Sequence, residues 1–169
     1  MKALSNLPRA HDIEATSVPV KGNGEPEVTD STASCSSNDS YIEEVPYIYT
    51  LVNQERREHN LRPFVRSQAI EALAEQVVDR IASAGDASQG MIPLEDLCSY
   101  LHSGFVGQNI EVGRSVEEIH KQSVTPNRNS HDMITSRKFR VCGMATAKHP
   151  GSGYTYLVQI FCGKRVTPV

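Results

Sequence analysis

Aromatic residues are scarce in this sequence: tryptophan is absent, and Phe, Tyr and Trp together make up 6% of the 169 residues. No stretch reaches the ~20 consecutive apolar residues that a membrane-spanning helix requires. The net charge is only -3, so no excess of positive charge favours nucleic acid or an anionic membrane. The first nine residues lack the apolar core of a signal peptide. These absences argue against a membrane-spanning or nucleic-acid-binding protein.

The acidic charge is concentrated in residues 1–45, which carry three basic and eight acidic side chains. The remaining 124 residues carry 14 basic and 12 acidic side chains. From Thr29 to Ser40 the residues are mostly small and polar, so this segment cannot bury enough surface to offset the entropy lost on ordering. We therefore predict a disordered acidic tail over residues 1–45, with a propeptide or acidic docking arm as the alternative. One folded domain is predicted over residues 46–165.

Helical periodicity dominates the first half of the predicted domain. The spacing of apolar residues predicts a first helix over about Val45–Asn60 and a second over about Ser67–Ala84. Pro93 suits the first position of a third helix. Ser115 and Glu118 form a capping box that predicts the start of a fourth helix.

The last third of the sequence changes to the alternation that is typical of strands. Phe139–Lys148 and Tyr154–Gly163 are predicted to form two neighbouring strands, joined by the turn-rich segment His149–Gly153. Both faces of the second strand are apolar, which is typical of a strand covered on both sides. Gly107–Gly113 is a further extended segment. We therefore predict an α+β fold, a three-layer α-β-α sandwich with a small, mostly antiparallel central sheet.

Five motifs occur in the order seen in the CAP superfamily: Leu51–Arg56 followed by Leu61–Phe64, the alanine-rich second helix, Gly107–Gly113, Phe139–Ala145 and Val158–Phe161. The sequence resembles this superfamily of cysteine-rich secretory, antigen 5 and pathogenesis-related class 1 proteins, also called SCP domains. The resemblance extends over about Tyr47–Gly163 and is greatest to the short microbial or algal type. It implies an α-β-α sandwich, usually secreted, whose cleft binds sterols, lipids or proteins.

Many CAP proteins carry two His and two Glu residues in that cleft, a tetrad that can hold a divalent cation. The family motif His-Ser-Gly followed by Gly-Glu-Asn-Ile corresponds here to His102-Ser-Gly and Gly-Gln108-Asn-Ile. His102 matches the first tetrad position, although a histidine that simply ends the third helix is an equal alternative. Gln108 replaces the glutamate and removes the negative charge that a cation site uses.

The second tetrad histidine precedes the Ile of a His-Arg-x-Asn-Ile motif by four residues, which places Ser130 at its position when Ile134 is aligned. His131 would take that position if one residue were deleted after it, so both stay candidates. No Glu follows the fourth helix where the second glutamate is expected. The resemblance therefore implies a cleft lined by His102, Gln108, Ser130 and His131, with His102 and His131 as candidate metal ligands.

One further histidine matches a family pattern by its neighbour alone. His59 and Asn60 spell a dipeptide that is common in the first helix of CAP proteins. The register of the other motifs places that pair at Val52-Asn53, so we interpret the match as a coincidence.

No motif indicates catalysis. A Ser/His/Asp site could be assembled from Ser103, His131 and Asp132, but no nucleophile elbow, Cys/His signature, phosphate-binding loop or HExxH segment supports it. We predict a non-enzymatic CAP-type domain that binds a small apolar ligand (sterol or lipid class) or a protein partner in a polar-lined cleft with a degenerate tetrad. His102 and Gln108 would supply orienting hydrogen bonds. The alternatives are a Zn²⁺- or Mg²⁺-binding protein with hydrolytic activity and a pure protein-interaction module; no other cofactor is expected.

Cysteine usage does not decide the location of the protein. Cys35 lies in the predicted tail, whereas Cys98, Cys142 and Cys162 lie in the domain. Cys142 is expected opposite Gln159–Ile160, so a bond to Cys162 would need a shift of register. We predict free, buried thiols at Cys98 and Cys142. The resemblance implies an extracellular protein, and a truncated gene model or a cytoplasmic member would each explain why no signal peptide is visible.

Overall fold

The computed structural model describes residues 39–163, with side chains described from residue 44 onward. In chain order its elements are α1 (Asp39–Glu58), β1 (Val65–Arg66), α2 (Gln68–Ala84), a 3₁₀ turn (Ala87–Gly90), α3 (Leu94–Leu101), β2 (Val106–Gly113), α4 (Val116–Ser123), α5 (Asn129–Ile134), β3 (Val141–Lys148) and β4 (Thr155–Cys162). None of the described helices is both long and apolar enough to cross a membrane.

The start of α1 differs from the sequence prediction. The helix begins at Asp39, so residues 39–45 are helical although the sequence assigned them to the tail. Helix continues through Pro46, whose side chain is exposed. The rest of the predicted tail, including Cys35, lies outside the described residues.

The four strands form one mixed sheet in the order β1-β3-β4-β2. β4 pairs antiparallel with both β3 and β2, and the short β1 pairs parallel with β3. The predicted hairpin is confirmed, but its register differs: Cys142 pairs with Phe161, and Val141 pairs with Cys162. The reason is the connection: Lys148 pairs with Thr155, so six residues, 149–154, join the strands instead of the predicted five. The backbone N–H of His149 donates to the carbonyl of Tyr154 at 2.8 Å and closes this loop.

Helices cover both faces of the sheet, which confirms the three-layer α-β-α sandwich. α2 packs on β3 and β4, while α1 packs on β3 and both α4 and α5 pack on β2 from the opposite side. All eight residues of β4 are buried, as expected for a strand covered on both faces. Cys142, Cys162 and the half-buried Cys98 are free thiols.

The layer formed by α2 follows directly from its sequence. Six apolar side chains make one buried stripe: Ile70, Leu73, Ala74, Val77, Val78 and Ile81. Ser67 and Gly85 flank the helix as its N-cap and C-cap, and Gly85 has the left-handed φ of 66° that glycine adopts without strain. Gly143 of β3 lies directly under this helix. A Cβ at this position would collide with the backbone of Ile70 and Glu71, so glycine permits the close packing of α2 on the sheet.

The opposite layer contains the larger apolar cluster. It comprises Val45, Ile48, Tyr49, Val52, Phe64, Val116, Ile119, Ile134, Cys142, Met144, Leu157 and Phe161. Arg56 of α1 is fully buried beside these residues. Its guanidinium group donates hydrogen bonds to the backbone carbonyls of Arg62, Ile134, Ser136 and Phe139. One charged side chain therefore connects α1 to α5 and to the segment before β3.

Candidate functional site

A groove of about 440 Å³ lies along the unpaired edge of β2. Three segments line it: Ala87, Ser88 and Met91 near the 3₁₀ turn, residues 108–111 of β2, and Arg128, Asn129 and Ser130 at the start of α5. The volume is within the range of about 300–1,000 Å³ that is common for binding sites of small ligands. The groove is therefore bordered by the segment that follows α2, by β2 and by the start of α5.

The backbone of β2 offers free hydrogen-bonding groups in this groove. The N–H of Gly163 donates to the carbonyl of Phe105 at 2.8 Å, which shows that odd-numbered residues of β2 bond to β4. By alternation, Gln108 and Ile110 direct their backbone N–H and C=O to the open side. Within the described part of the chain, no strand or loop occupies these groups. Such an edge can accept an added strand.

The side chain of Gln108 is committed to holding the groove wall in place. Its Oε1 accepts from the backbone N–H of Ile92 at 3.0 Å, and its Nε2 donates to the carbonyl of Gly90 at 3.0 Å. Both partners are backbone groups of residues 90–92, at the end of the 3₁₀ turn. Gln108 therefore fixes the chain between the 3₁₀ turn and α3 against β2.

Two other polar side chains of the groove contain unpartnered atoms. Asn109 Nδ2 and Ser130 Oγ are buried, and neither has a hydrogen-bond partner in the described part of the chain. A buried polar atom without a partner costs about 1–3 kcal/mol, so such atoms are usually satisfied by water or a ligand. Asn109 and Ser130 therefore mark the part of the groove where a polar ligand would gain most.

The groove also contains one charged pair. Glu111 Oε2 lies 3.5 Å from Arg128 Nη2, and the Glu111 side chain is only 9% exposed whereas that of Arg128 is 45% exposed. Removal of a carboxylate from water is unfavourable unless it is paired, so Arg128 stabilises Glu111. The exposed guanidinium still has donors available for a ligand.

The structure brings only part of the sequence-derived site together. Gln108 and Ser130 line the same groove. His102 is exposed at the C-cap of α3, with a left-handed φ of 48°, and does not line the groove. His131 lies on α5 next to His59, with ring centroids 5.7 Å apart, and is also absent from the lining. Orienting hydrogen bonds from His102 and Gln108 therefore have no support in this geometry.

The side chains of the groove do not fit the divalent cation that the family tetrad can hold. The amide of Gln108 is occupied by backbone groups, and Ser130 replaces a histidine with a neutral hydroxyl. The single carboxylate, Glu111, is paired with Arg128. Zn²⁺ sites need three or four nitrogen, sulfur or carboxylate ligands, and Mg²⁺ sites need carboxylates or phosphates.

Sequence reasoning missed several residues that shape the groove. Asn109 and Glu111 lie in the motif Gly107–Gly113, and strand alternation places their side chains on one face of β2. This alternation could have identified both residues from the sequence. Arg128 and Met91 offered no comparable signal, because their positions depend on how separate loops meet. The groove is consequently richer in charge and amide groups than the motif comparison indicated.

Taken together, the fold and the groove define an α-β-α sandwich domain with a polar binding groove beside an open strand edge. The family model described as "CAP: Cysteine-rich secretory protein family" matches residues 49–161. The match covers more than half of the sequence, and the chain belongs to the CAP family. No curated protein matches the chain.

Solved structures with the same fold come from several bacteria. An outer surface protein from Borrelia burgdorferi is 13% identical with a TM-score of 0.62, and the match covers 73% of this chain and 94% of that protein. A cysteine-rich secretory protein from Staphylococcus aureus is 14% identical with a TM-score of 0.60, covering 75% of this chain and 40% of that protein. An extracellular protein containing a SCP domain from Bacillus anthracis is 14% identical with a TM-score of 0.60, covering 80% of this chain and 45% of that protein. The chain thus spans less than half the length of the last two, and at these identities the similarity concerns the fold alone.

Proposed function

We propose that this CAP domain is a non-enzymatic binding module that accepts an extended segment of a partner protein in the groove beside β2. The observation that carries the proposal is that the groove coincides with an open strand edge. The same groove contains two unpartnered polar atoms, Asn109 Nδ2 and Ser130 Oγ. A peptide backbone supplies donors and acceptors at the spacing of a strand, which matches the outward backbone groups of this edge.

The mode of binding would be strand addition. The outward N–H and C=O groups of Gln108 and Ile110 would pair with the partner backbone. Asn109 Nδ2 would donate to a carbonyl, and the exposed guanidinium of Arg128 would favour an acidic or carbonyl-rich segment. Met91 would supply an apolar contact at the rim, since 58% of it is exposed.

A sterol or other apolar ligand suits this groove less well than a peptide. Apolar side chains in the lining are limited to Ala87, Met91 and Ile110, whereas the other lining residues are polar or charged. An apolar ligand would bury Asn109 and Ser130 further without satisfying their polar atoms, which is unfavourable. A pure lipid-binding function therefore serves as the competing outcome of the test below.

We also propose that the partner is met outside the cell. The support is membership of the CAP family together with structural similarity to proteins described as outer surface or extracellular. Detection of the protein in the culture medium or on the cell surface of its source, against a cytoplasmic marker, tests this part separately.

The proposed function is tested with peptides selected from a random display library on the full chain. Binding of a selected peptide is measured by fluorescence polarisation for the wild type, Arg128→Ala and Ile110→Pro. Proline removes an outward N–H, a change that edge strands tolerate, so one intermolecular hydrogen bond is lost. Both variants should weaken binding by about tenfold or more, equivalent to ~1.4 kcal/mol. Arg80→Ala, which changes an exposed arginine of α2 away from the groove, is the matched control and should bind as the wild type does.

Nuclear magnetic resonance gives an independent readout of the site. On addition of the peptide, the amide signals of Gln108 and Ile110 should shift more than those of the buried strand β3. Selected peptides that shift other regions only, or whose affinity is unchanged by both groove variants, would contradict the proposal. Binding of a fluorescent sterol but of no selected peptide would favour the apolar-ligand alternative instead.

A further inference from the structure

Three metal-ligating side chains converge outside the groove, at the C-terminal end of α1. Glu55, His59 and His131 each offer one ligand atom, and these atoms lie within 4.8 Å of one another. We propose that Glu55, His59 and His131 form a binding site for a divalent transition-metal ion, with Zn²⁺ as the ion that best fits the ligand set. The site shares no residue with the lining of the groove.

Two of the ligands come from one face of the same helix. Glu55 and His59 are four residues apart, and the backbone N–H of His59 bonds to the carbonyl of Glu55 at 3.2 Å, so the helical geometry extends to His59. Residues at this spacing lie above one another on a helix surface. His59 Nδ1 lies 3.3 Å from Glu55 Oε1. The two side chains are thus paired before any metal is present.

The hydrogen bonding of His59 determines which ring nitrogen is free. Its Nδ1 lies 3.0 Å from the backbone carbonyl oxygen of Glu55. A carbonyl oxygen only accepts, so Nδ1 carries the proton in this bond and the lone pair of the neutral ring lies on Nε2. Metal-binding histidines characteristically donate their other N–H in this way.

His131 supplies the third ligand from α5. Its side chain is 17% exposed, and its Nδ1 is buried without a hydrogen-bond partner in the described part of the chain. The carboxylate of Asp132 lies 3.7 Å from this nitrogen, which is beyond hydrogen-bond distance. The ring meets His59 edge to face at an interplanar angle of 72°. The imidazole of His131 therefore has an unused nitrogen, and one of its ring nitrogens lies within 4.8 Å of ligand atoms of Glu55 and His59.

A second unpartnered imidazole lies near the same carboxylate. His120 of α4 has a buried Nδ1 without a partner in the described residues. Burial lowers the pKa of His120, and the carboxylates of Glu55 and Glu58 act on it in the opposite direction. His120 therefore provides a further imidazole with an unused nitrogen near Glu55.

The chemistry of the ligands favours Zn²⁺ over the hard cations. Two imidazoles and one carboxylate form a ligand set that Zn²⁺ uses with a fourth position left for water, whereas Ca²⁺ and Mg²⁺ prefer oxygen ligands. The His59 side chain is 43% exposed, which leaves a path from solvent. An ion bound there would connect α1 to α5 and should raise the thermal stability of the folded protein.

The test is a titration of the full chain with Zn²⁺ after removal of metals with a chelator. Isothermal titration calorimetry should show one tight ion per chain, and the ion should raise Tm. His59→Gln and His131→Gln should each weaken binding by about tenfold or more and should abolish the rise in Tm. His102→Asn is the matched control, because His102 is exposed outside the cluster and Asn tolerates its left-handed backbone. This variant should bind Zn²⁺ like the wild type.

The outcome is decided by the pattern across the variants. Wild-type affinity in both His59→Gln and His131→Gln would overturn the proposal, as would an equal loss in His102→Asn. Should His131→Gln fail to fold, His59→Gln still decides the question, since the His59 side chain is 43% exposed and is not part of the buried core. The absence of any tight Zn²⁺ binding by the wild type would also overturn it, while leaving the proposed peptide groove unaffected.

Discussion

The guanidinium carbon of Arg56 lies 3.8 Å from the centroid of the Phe64 ring, which makes this fully buried arginine a cation–π partner as well as a hydrogen-bond donor. No carboxylate pairs with it in the described residues; backbone carbonyls surround it instead. Burial lowers the pKa of Arg56 to about 10. Since Ile134 and Ser136 accept two of its hydrogen bonds, Arg56 holds the end of α5, the helix that contains both Ser130 and His131.

Arg56→Lys should therefore destabilise the protein strongly. A lysine retains the charge but has a single nitrogen, which cannot reach carbonyls on several sides or stack flat on Phe64. We expect a loss of about 2–4 kcal/mol in the free energy of unfolding, measured with urea. Arg57→Lys, at the exposed neighbouring position, should change it by about 0.5 kcal/mol or less. Similar small losses in both variants would show that the contacts of Arg56 contribute little.

The sequence predicted those parts of the fold whose pattern is local. The stripe of α2 and the alternation of β4 specify their own burial, and both were predicted correctly. The six-residue helix α5 was not predicted, because Asn129–Ile134 is too short to show a helical period. β1 was missed for the same reason, since a two-residue strand has no pattern of its own.

The candidate sites depend on contacts between distant segments, which local sequence patterns do not reveal. Motif order assigned Gln108 and Ser130 to one cleft, and both line the groove beside β2. Motif order could not show that the side chain of Gln108 bonds to Gly90, because Gly90 ends a 3₁₀ turn that belongs to none of the motifs. His59 was set aside as a coincidence of sequence, yet it lies beside His131, a residue distant in the chain that only folding brings near.

Gln108→Glu, which restores the family glutamate, should destabilise this chain. The carboxylate could still accept from the N–H of Ile92, but it would face the carbonyl of Gly90 where Gln108 now donates at 3.0 Å. Repulsion between two acceptors in a buried site should cost about 1–3 kcal/mol in unfolding free energy. Gln76→Glu, at an exposed position of α2, is the control and should have little effect. Calorimetry on the Gln108→Glu variant should detect no metal binding beyond that of the wild type, since the groove would still lack the tetrad histidines. Tight metal binding that appears only with Gln108→Glu would show that the groove can hold a cation after all.

The thiol of Cys142 should resist modification in the folded protein and should make stability depend on pH. Burial raises the pKa of Cys142 from 9.0 to about 12. At pH 8 a thiol reagent should react with the half-buried Cys98 before it reacts with Cys142, because the thiolate is the reactive form.

The sign of the pH effect follows from where the proton is held. Between pH 9 and 12 the unfolded state loses the Cys142 proton while the folded state keeps it. The contribution of this thiol to the free energy of unfolding is therefore fully present below pH 9 and is lost as the pH rises towards 12. The slope from this group is at most ~1.4 kcal/mol per pH unit. Burial also raises the pKa of Tyr49, which adds a contribution of the same sign. Urea unfolding at pH 8 and pH 10 should show the decrease, and Cys142→Ala should make it smaller; an unchanged slope in that variant would assign the effect to other groups.

Ser130 and Ser123 provide a matched pair for testing whether the groove is built for a ligand. Both side chains are buried at helical positions, but Ser123 Oγ donates to the carbonyl of Ile119 at 2.9 Å, whereas Ser130 Oγ has no partner among the described residues. Both variants make the same change of side chain, from a buried hydroxymethyl group to a methyl group, so the difference between them reports mainly the hydrogen bond of Ser123. Ser123→Ala should cost about 0.5–1.5 kcal/mol relative to Ser130→Ala, which removes an unsatisfied hydroxyl and should leave the protein as stable as the wild type or more so. Peptide binding is then measured for both variants, and Ser130→Ala should weaken it while Ser123→Ala should not. That result would mean that the unsatisfied hydroxyl of Ser130 lowers stability but serves binding, a trade-off that is common at functional sites.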